Sequence, residues 1–400
     1  MSEIGTALLG LGDKLAAHVL LSAAAIALGI AVALPLAIWA SRSPAVARAT
    51  LGFASLVQTI PALALLALFF PILLSLRAVF GEGLPTLGFL PALLALSLYA
   101  LLPILRNAVT AQANLDPGIL EAADGVGMSF WQRLRLVEAP LAAPYVMAGI
   151  RTAAVWTIGA ATLSTTIGQP SLGDPIFAGL QTQNWVLVLA GCIASAGLAL
   201  VADALLGTIE KGLATRRRRL SLAGLVAVLL GIVAALAVQF GNRADDRIVI
   251  GAKGFSEQYI LARLIGQQLE AADYTVDYRN GLGSAVAHQA VANGAIDVLV
   301  DYTGTIWTNQ MERRDTPDRD TMLAEIEEWE TRTTGTHVLG RLGFENAYGL
   351  AMPRVRAEAG GFAAIGDLAC TTALNGPAHL FAEALNPGEV AVEGVPVGQP

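Results

Sequence analysis

Charge is what this 400-residue chain has least of: 14% of its residues are Asp, Glu, Lys or Arg, against roughly 25% in an ordinary soluble domain. Together with 54% hydrophobic residues, this excludes a disordered chain and a wholly soluble enzyme of average make-up. Excess basic charge is also missing. The net charge is −7, which excludes a nucleic-acid binder driven by positive potential. There are two cysteines, Cys192 and Cys370, and neither a disulfide framework nor a metal-type spacing can be built from them. The four histidines form no H-E-x-x-H site, and no G-x-S-x-G elbow occurs. No G-x-x-x-x-G-K-[ST] phosphate loop occurs either, so hydrolysis of ATP by that route is excluded. No cofactor or metal is expected.

What is present falls into two unlike halves. Through Asn242 there are 13 Lys+Arg and 10 Asp+Glu; from Arg243 onward there are 12 and 22. The first half is apolar and slightly basic, the second acidic and water-soluble in character. A membrane helix needs about 20 mostly apolar residues. Six runs meet this: Ala16–Ala40, Leu51–Leu76, Leu87–Thr110, Leu141–Ile167, Trp185–Gly207 and Leu220–Phe240. The first does not read as a signal peptide, because Glu3, Asp13 and Lys14 precede it and its apolar run is too long. Pro35, Pro61, Pro91 and Pro103 inside these runs suit membrane helices, whose neighbours re-satisfy the freed backbone. Lys and Arg in the connections set the orientation. Arg42, Arg48, Arg106, Arg133, Arg135, Lys211 and Arg216 to Arg219 fall on one side, Lys14 and Arg77 on the other. The basic side is cytoplasmic, and everything after Phe240 is expected outside. Arg151, near the cytoplasmic end of the fourth span, reads as a snorkelling anchor or packing residue, with gating as the alternative.

The second half alternates strands and helices. Strands are expected at Arg247–Gly251, Thr275–Arg279, Ile296–Asp301 and Tyr348–Met352. Helices are expected at Ser256–Glu270, capped by Ser256, at Ser284–Asn293 and at Asp318–Thr333. This alternation argues a mostly parallel sheet. Ligands on such sheets bind beyond the strand carboxyl ends, here Lys253–Gln258, Asn280–Ser284 and Tyr302–Thr305. His288 reads as a solvated or packing histidine.

One connection on the basic side carries a pattern. Glu121-Ala122-Ala123 is followed after three residues by Gly127, and nine residues later by Val137-Glu138-Ala139-Pro140. Two short helices, Pro117–Asp124 and Ser129–Leu136, are expected around Gly125 and Gly127, which permit a tight turn of positive φ. Small Ala122 and Ala123 admit a partner closely, and Pro140 suits the start of the next helix. A compact helical lobe of this kind suits docking to another protein. The pattern resembles the coupling motif of bacterial ABC importer permeases. Ala148-Gly149-Ile150-Arg151-Thr152-Ala153 and Gly168–Leu180, with Leu172-Gly173-Asp174 at its centre, are similar to the osmoprotectant (glycine betaine, choline, carnitine) branch. The similarity covers about residues 16–213. It implies a five-helix core, with the sixth helix as a tether.

Ile248-Val249-Ile250-Gly251-Ala252-Lys253-Gly254-Phe255-Ser256-Glu257-Gln258 resembles the opening of osmoprotectant-binding proteins. So do Gly281-Leu282-Gly283-Ser284, Asp301-Tyr302-Thr303-Gly304-Thr305 and Leu342-Gly343-Phe344-Glu345-Asn346-Ala347-Tyr348. The implied fold is an α/β two-lobed clamshell behind an all-α membrane domain. A quaternary ammonium cannot donate hydrogen bonds from nitrogen and needs a desolvated aromatic cage. The resemblance implies Tyr302 and Tyr348 as cage residues, Gln258 as a polar ligand contact and Thr305 as a pocket position that tunes specificity. Tyr348 also fits a half-buried strand aromatic. After Asp367-Leu368-Ala369 only residues 370–400 remain, so the second lobe is expected to be incomplete.

The resulting expectation is a permease (1–213, coupling loop 117–140), a sixth helix and linker (214–243) and a shortened substrate-binding domain (244–400). Together they form a subunit of an ABC importer for quaternary ammonium osmoprotectants in a bacterial inner membrane. It has no enzymatic activity of its own. The implied partners are a separate ATPase, docked at Glu121, Ala122, Ala123, Gly127 and Pro140, and a second copy of the permease. Nucleic acid is not among them. The alternatives are an importer of ergothioneine or another betaine, and a membrane-tethered sensor without transport. An ion-driven carrier would require paired ionisable residues at mid-membrane.

Overall fold

In hydrocarbon every backbone N–H and C=O must be paired within the protein, and long apolar runs therefore close into helices. The computed structural model describes residues 3–81, 84–241, 247–343, 351–361 and 390–391. A short α1 (Glu3–Leu9) leads into the 29-residue α2 (Gly12–Ala40). Then follow α3 (Pro44–Thr59), α4 (Ala62–Phe80), α5 (Phe89–Ala113), and the short α6 (Pro117–Gly125) and α7 (Phe130–Arg133). A π turn, Leu134–Glu138, joins α7 to α8 (Ala139–Ala161), and a 3-10 turn, Thr162–Ile167, leads on to α9 (Gly173–Gln181). The long α10 (Trp185–Ala214) and α11 (Arg218–Gly241) complete the bundle. Among the described residues five segments are long and apolar enough to cross a membrane, or six if the bent pair α3–α4 counts as one span.

That pair departs from the single span expected over Leu51–Leu76. The chain turns by 102° between α3 and α4. Pro61 has no N–H and forces Ile60 out of helical geometry, to φ −75 and ψ 125. Pro35 and Pro103, by contrast, sit inside continuous helices.

The bundle is organised around α5, which packs against α2, α3, α4 and α8. One of its two contact clusters is rich in alanine. Ala33, Ala37, Ala54, Ala100, Ala108 and Ala153 are buried in one cluster with Leu101, Ile104 and Leu105. At Gly149 a Cβ would lie 2.8 Å from the Pro103 carbonyl oxygen. The absence of a side chain there sets how closely α8 approaches α5, as small residues do between membrane helices. The sixth long helix, α11, packs on α10 and α2 and leaves Leu222, Leu225, Val226, Leu229 and Leu230 exposed.

Behind the bundle, β1 (Arg247–Lys253), α12 (Ser256–Ala271), β2 (Thr275–Leu282), α13 (Ser284–Ala292) and β3 (Val298–Leu299) form a parallel sheet of order β2-β1-β3. Ile250 pairs with Tyr278 on one side and Val298 on the other. Ile250, Ala252 and Ala262 form the core beneath α12, while Leu282, Ala287, Ala290 and Ile296 form it beneath α13. His288 is buried.

The chain divides into two compact units, Met1–Asp301 with Thr331–Thr336, and Tyr302–Glu330 with His337–Pro400. The sheet therefore belongs to the same unit as the bundle. The second unit opens with α14 (Thr303–Thr305) and a π turn, Ile306–Gln310. Within it Trp307 Nε1 donates to the Asp315 carbonyl at 2.7 Å, and the Arg313 guanidinium lies 4.0 Å from the Trp307 ring centre. The helix α15 (Arg319–Thr333) follows Asp318, whose carboxylate accepts from the Asp320 and Thr321 backbone N–H groups and the Thr321 hydroxyl. Those bonds hold its carboxyl below the usual carboxylate range. Strand β4 (Ala351–Met352), the helix α16 (Arg354–Gly360) and β5 (Val390–Ala391) follow, with β4 and β5 antiparallel. Tyr348 and most of the stretch expected to hold the shortened second lobe lie outside the described residues.

Candidate functional site

The loop between α5 and α8 folds as an elbow. Asp116 starts α6, its carboxylate accepting from the Gly118 N–H at 2.8 Å, with Pro117 at the first helical position. Gly127, at φ +74, ends it. Its N–H bonds the Asp124 carbonyl at 2.9 Å and the Met128 N–H bonds the Ala123 carbonyl at 3.1 Å. This is the paired closure that a left-handed residue after a helix permits. Ser129 and Gln132 then cap α7 reciprocally. Pro140 lies in the first turn of α8. It cannot donate to the Leu136 carbonyl, and the π turn directly before α8 absorbs that defect.

Glu121, Ala122, Gly127 and Pro140 are exposed, and Ala123 is buried. Around them stand exposed Val126, Phe130, Trp131 and Leu136. The elbow is bound to the bundle by charge. Arg133 Nη1 donates to both Asp124 carboxylate oxygens at 2.6 and 2.7 Å, and its Nε to Glu138 Oε1 at 2.9 Å. Arg42, in the turn between α2 and α3, donates to both oxygens of buried Glu138 at 3.1 Å and covers the Phe130 ring at 4.6 Å. Charge-assisted pairs of this kind are the stronger class of hydrogen bond. Asp124, Arg133, Glu138 and Arg42 thus act as one brace.

At the other end of α8 lies a polar knot. Asp174, on the first turn of α9, is bonded by the Lys14 ammonium from α2. It also accepts from Thr165 Oγ1 at 2.6 Å and from the Ser171 N–H at 3.4 Å. Ser171 Oγ and Thr165 Oγ1 are 2.8 Å apart. His18, fully buried, accepts from the Leu172 N–H at 3.2 Å and lies 3.0 Å from the Ile158 carbonyl oxygen. The imidazole is therefore the tautomer protonated at Nε2.

The carboxyl edge of the sheet packs on this end of the bundle. Leu87 joins the cluster of Leu282, Ala287 and Ile296. A Cβ on Gly168 would meet Leu282 at 3.4 Å. Ser256 does not cap α12, whose N-cap is Phe255 with no side-chain bond. Its hydroxyl instead donates to the Gln181 carbonyl at 2.5 Å, a contact between distant segments that no local pattern encodes.

At the same edge Lys253 and Asp301 form an ion pair across the ends of β1 and β3. Gln258 is buried, its Oε1 accepting from the Lys253 N–H at 3.4 Å. Its Nε2 meets no acceptor among the described residues. Gln258 belongs to the first unit, Tyr302 and Thr305 to the second. Tyr302 caps α14 with its backbone and Thr305 ends it; both are half-buried. Among the described residues no group of three or more His, Cys, Asp and Glu could hold a metal.

Arg151 is the thirteenth of the 23 residues of α8, not near its end. It packs α8 against α10, as the packing reading expects. Its Nε and Nη2 grip Asp203 of α10 at 2.5 and 2.6 Å, and Nη1 reaches Glu210 at 3.3 Å.

Two family models match this chain. Residues 25–215 match the binding-protein-dependent transport system inner membrane component, and residues 246–384 the substrate binding domain of ABC-type glycine betaine transport system. The glycine betaine/carnitine/choline transport system permease protein OpuCB of Bacillus subtilis (strain 168) is 40% identical over 198 residues, 50% of this chain and 86% of that protein. The chain belongs to the ABC importer permeases. Its second half carries a substrate-binding domain. The carnitine transport permease protein OpuCB of Listeria monocytogenes is 43% identical over 48% of this chain and 83% of that protein. The ergothioneine transport permease/ergothioneine binding protein EgtU of Helicobacter pylori (strain G27) is 31% identical over 78% of this chain and 57% of that protein. A chain of the inward-facing methionine ABC transporter MetNI covers 53% of this chain and 99% of its own at 19% identity, with a TM-score of 0.44, a likeness too weak to bear on the fold.

The protein is thus a multi-pass membrane subunit of an ABC importer, a family that works with an ATPase partner. In this permease the residues missed from sequence are the elbow brace and the knot. In sequence Arg42 and Arg133 mark only the basic side of the spans; the acids that pair with them, Asp124 and Glu138, lie within the Glu121–Pro140 pattern.

Proposed function

We propose that this permease imports trimethylammonium solutes of the glycine betaine, choline and carnitine kind, captured outside the membrane by its own binding domain. A separate ATPase drives it from the cytoplasmic side. The observation that carries this reading is the elbow. It combines a braced helical turn with exposed Val126, Phe130, Trp131 and Leu136, an apolar patch of the sort that marks a protein-docking surface. Exposed Glu121, Ala122, Gly127 and Pro140 form the ATPase contact, and buried Ala123 packs beneath them rather than touching the partner. ATP-driven closure of two ATPases pulls on α8 through the brace, and a second copy of the permease completes the path. The basic flanks of the spans support the elbow facing the cytoplasm, with residues 244–400 outside and the boundaries 1–213 and 214–243 for permease and tether.

Gln258, Tyr302, Thr305 and Tyr348 are the ligand residues of this reading. Gln258 supports it with a buried amide donor that meets no acceptor among the described residues, at a sheet edge where ligands bind. A second reading, ergothioneine, is favoured by one observation. A relative aligned through both halves of this chain, over 78% of it, is an ergothioneine transport permease/ergothioneine binding protein. Both readings share the trimethylammonium group.

Titration calorimetry of the full chain with choline, glycine betaine and ergothioneine separates them. Tyr302→Ala is expected to weaken the bound ligand by about 2- to 30-fold, the worth of one cation–π face of roughly 0.5–2 kcal/mol. Binding of none of the three, or an unaltered affinity in Tyr302→Ala, contradicts the ligand assignment.

A further inference from the structure

Tyr259 stands next to Gln258 on α12 but faces elsewhere. It is buried, and its hydroxyl meets no hydrogen-bond partner among the described residues. Gly281, at φ +77, separates it from the permease. A Cβ there would lie 3.5 Å from the Tyr259 hydroxyl and 3.5 Å from the Thr165 methyl group. Thr165 in turn donates to Asp174. Burial first and the charge of Asp174 second push the Tyr259 pKa up to about 12, so the phenol keeps its proton and is a donor at any physiological pH. A protonated, buried donor thus faces Thr165 across Gly281, and Thr165 is one of the three donors, with Lys14 and the Ser171 N–H, to the Asp174 carboxylate.

We propose that Tyr259 is the positioning residue through which the permease senses the docked binding domain: its hydroxyl donates to Asp174 and loosens the Lys14–Asp174 clasp. Lys14 is in the first turn of α2, so the clasp ties that helix to α9. Once it loosens, α2 remains held through His18, whose bonds run to Leu172 and Ile158, and can pivot there. Gly281 leaves the space between the Tyr259 hydroxyl and Thr165 free of a side chain, which is the path the hydroxyl takes in this proposal. No covalent step is involved. The inference rests on the reading of the chain as an importer fed by its own binding domain.

The test uses the full chain reconstituted with its ATPase in proteoliposomes, with choline, glycine betaine and ergothioneine each as probe. In Tyr259→Phe the ligand affinity and the ligand-free ATPase rate stay within about twofold of the parent. Ligand-stimulated ATPase and uptake fall at least tenfold. Lys14→Gln, which removes the clasp, raises ligand-free ATPase severalfold, and in the double variant Lys14→Gln/Tyr259→Phe the loss caused by Tyr259→Phe disappears. A packing role would not be rescued in this way. Parental ligand stimulation in Tyr259→Phe, a fall in its unfolding temperature that accounts for lost uptake, or a double variant as impaired as Tyr259→Phe alone overturns the proposal. Failure of the parent chain to bind any of the three probes would instead refute the ligand reading.

Discussion

At the lobe end of this permease the polar groups are buried and bonded to one another; at the elbow end the apolar groups are exposed. Asp174, Thr165, Ser171 and His18 are all within a few per cent of full burial, and the binding domain's own sheet edge reaches this end of the bundle at Gly281 beside Thr165 and at Leu282 beside Gly168. Val126, Phe130, Trp131 and Leu136 have no such cover. One end of α8 meets its partner within the same chain, and the other presents a surface that suits a partner from a different chain. A fused importer subunit needs this asymmetry, and it tells where a substitution should act: on folding and docking at the covered end, on coupling at the open one.

The elbow offers the largest expected effect. Gly127→Val together with Glu121→Ala is expected to abolish ligand-stimulated ATPase and uptake in the reconstituted complex, while calorimetric ligand affinity stays unchanged. Left-handed backbone costs about 1–2 kcal/mol in a residue with a Cβ, and the closure on Ala123 and Asp124 is lost with it. Full coupling in that variant would place the ATPase contact elsewhere. At the covered end, Gly173→Ala puts a Cβ 1.8 Å from the Thr162 carbonyl oxygen. Overpacking of this order costs about 1–3 kcal/mol or more. Thermal unfolding of the purified chain should fall by several degrees, and an unchanged midpoint would show that the knot is not packed as described.

Between the two ends, Asp203→Asn removes one carboxylate from the third-exposed Arg151 triad. A loss of about 1–2 kcal/mol is expected, between the values for exposed and buried pairs, and is read by denaturation in detergent. Smallest is Ser256→Ala, which deletes one hydrogen bond to Gln181 and should cost about 1 kcal/mol. It should weaken docking without altering ligand affinity, measured on the same full chain; a change in affinity would move Ser256 into the ligand site.

Much of this was legible in sequence because the physical signal was local. Apolar runs gave the spans, since hydrocarbon forces every backbone bond to close within the segment. The elbow followed from two glycines and a proline at fixed spacing, and Gly127 takes the positive φ expected of it. What was not legible was long-range. Ser256 has the side chain of a helix cap yet bonds a carbonyl 75 residues earlier. Arg151 reads in sequence as an anchor or a packing residue, and its actual partners, Asp203 and Glu210, are not legible because they stand on another helix. The bend at Pro61 is half-legible: a proline is tolerable in a membrane helix, and Pro35 and Pro103 stay inside continuous helices, whereas α3 ends before Pro61.

Sidedness tests the whole account most directly. In a chain whose Cys192 and Cys370 are replaced by Ser, Gly127→Cys and Tyr302→Cys are made one at a time and exposed to a membrane-impermeant maleimide on intact spheroplasts. The account predicts that Tyr302→Cys is labelled at once and Gly127→Cys only after the membrane is opened. Labelling of both from the same side would contradict it.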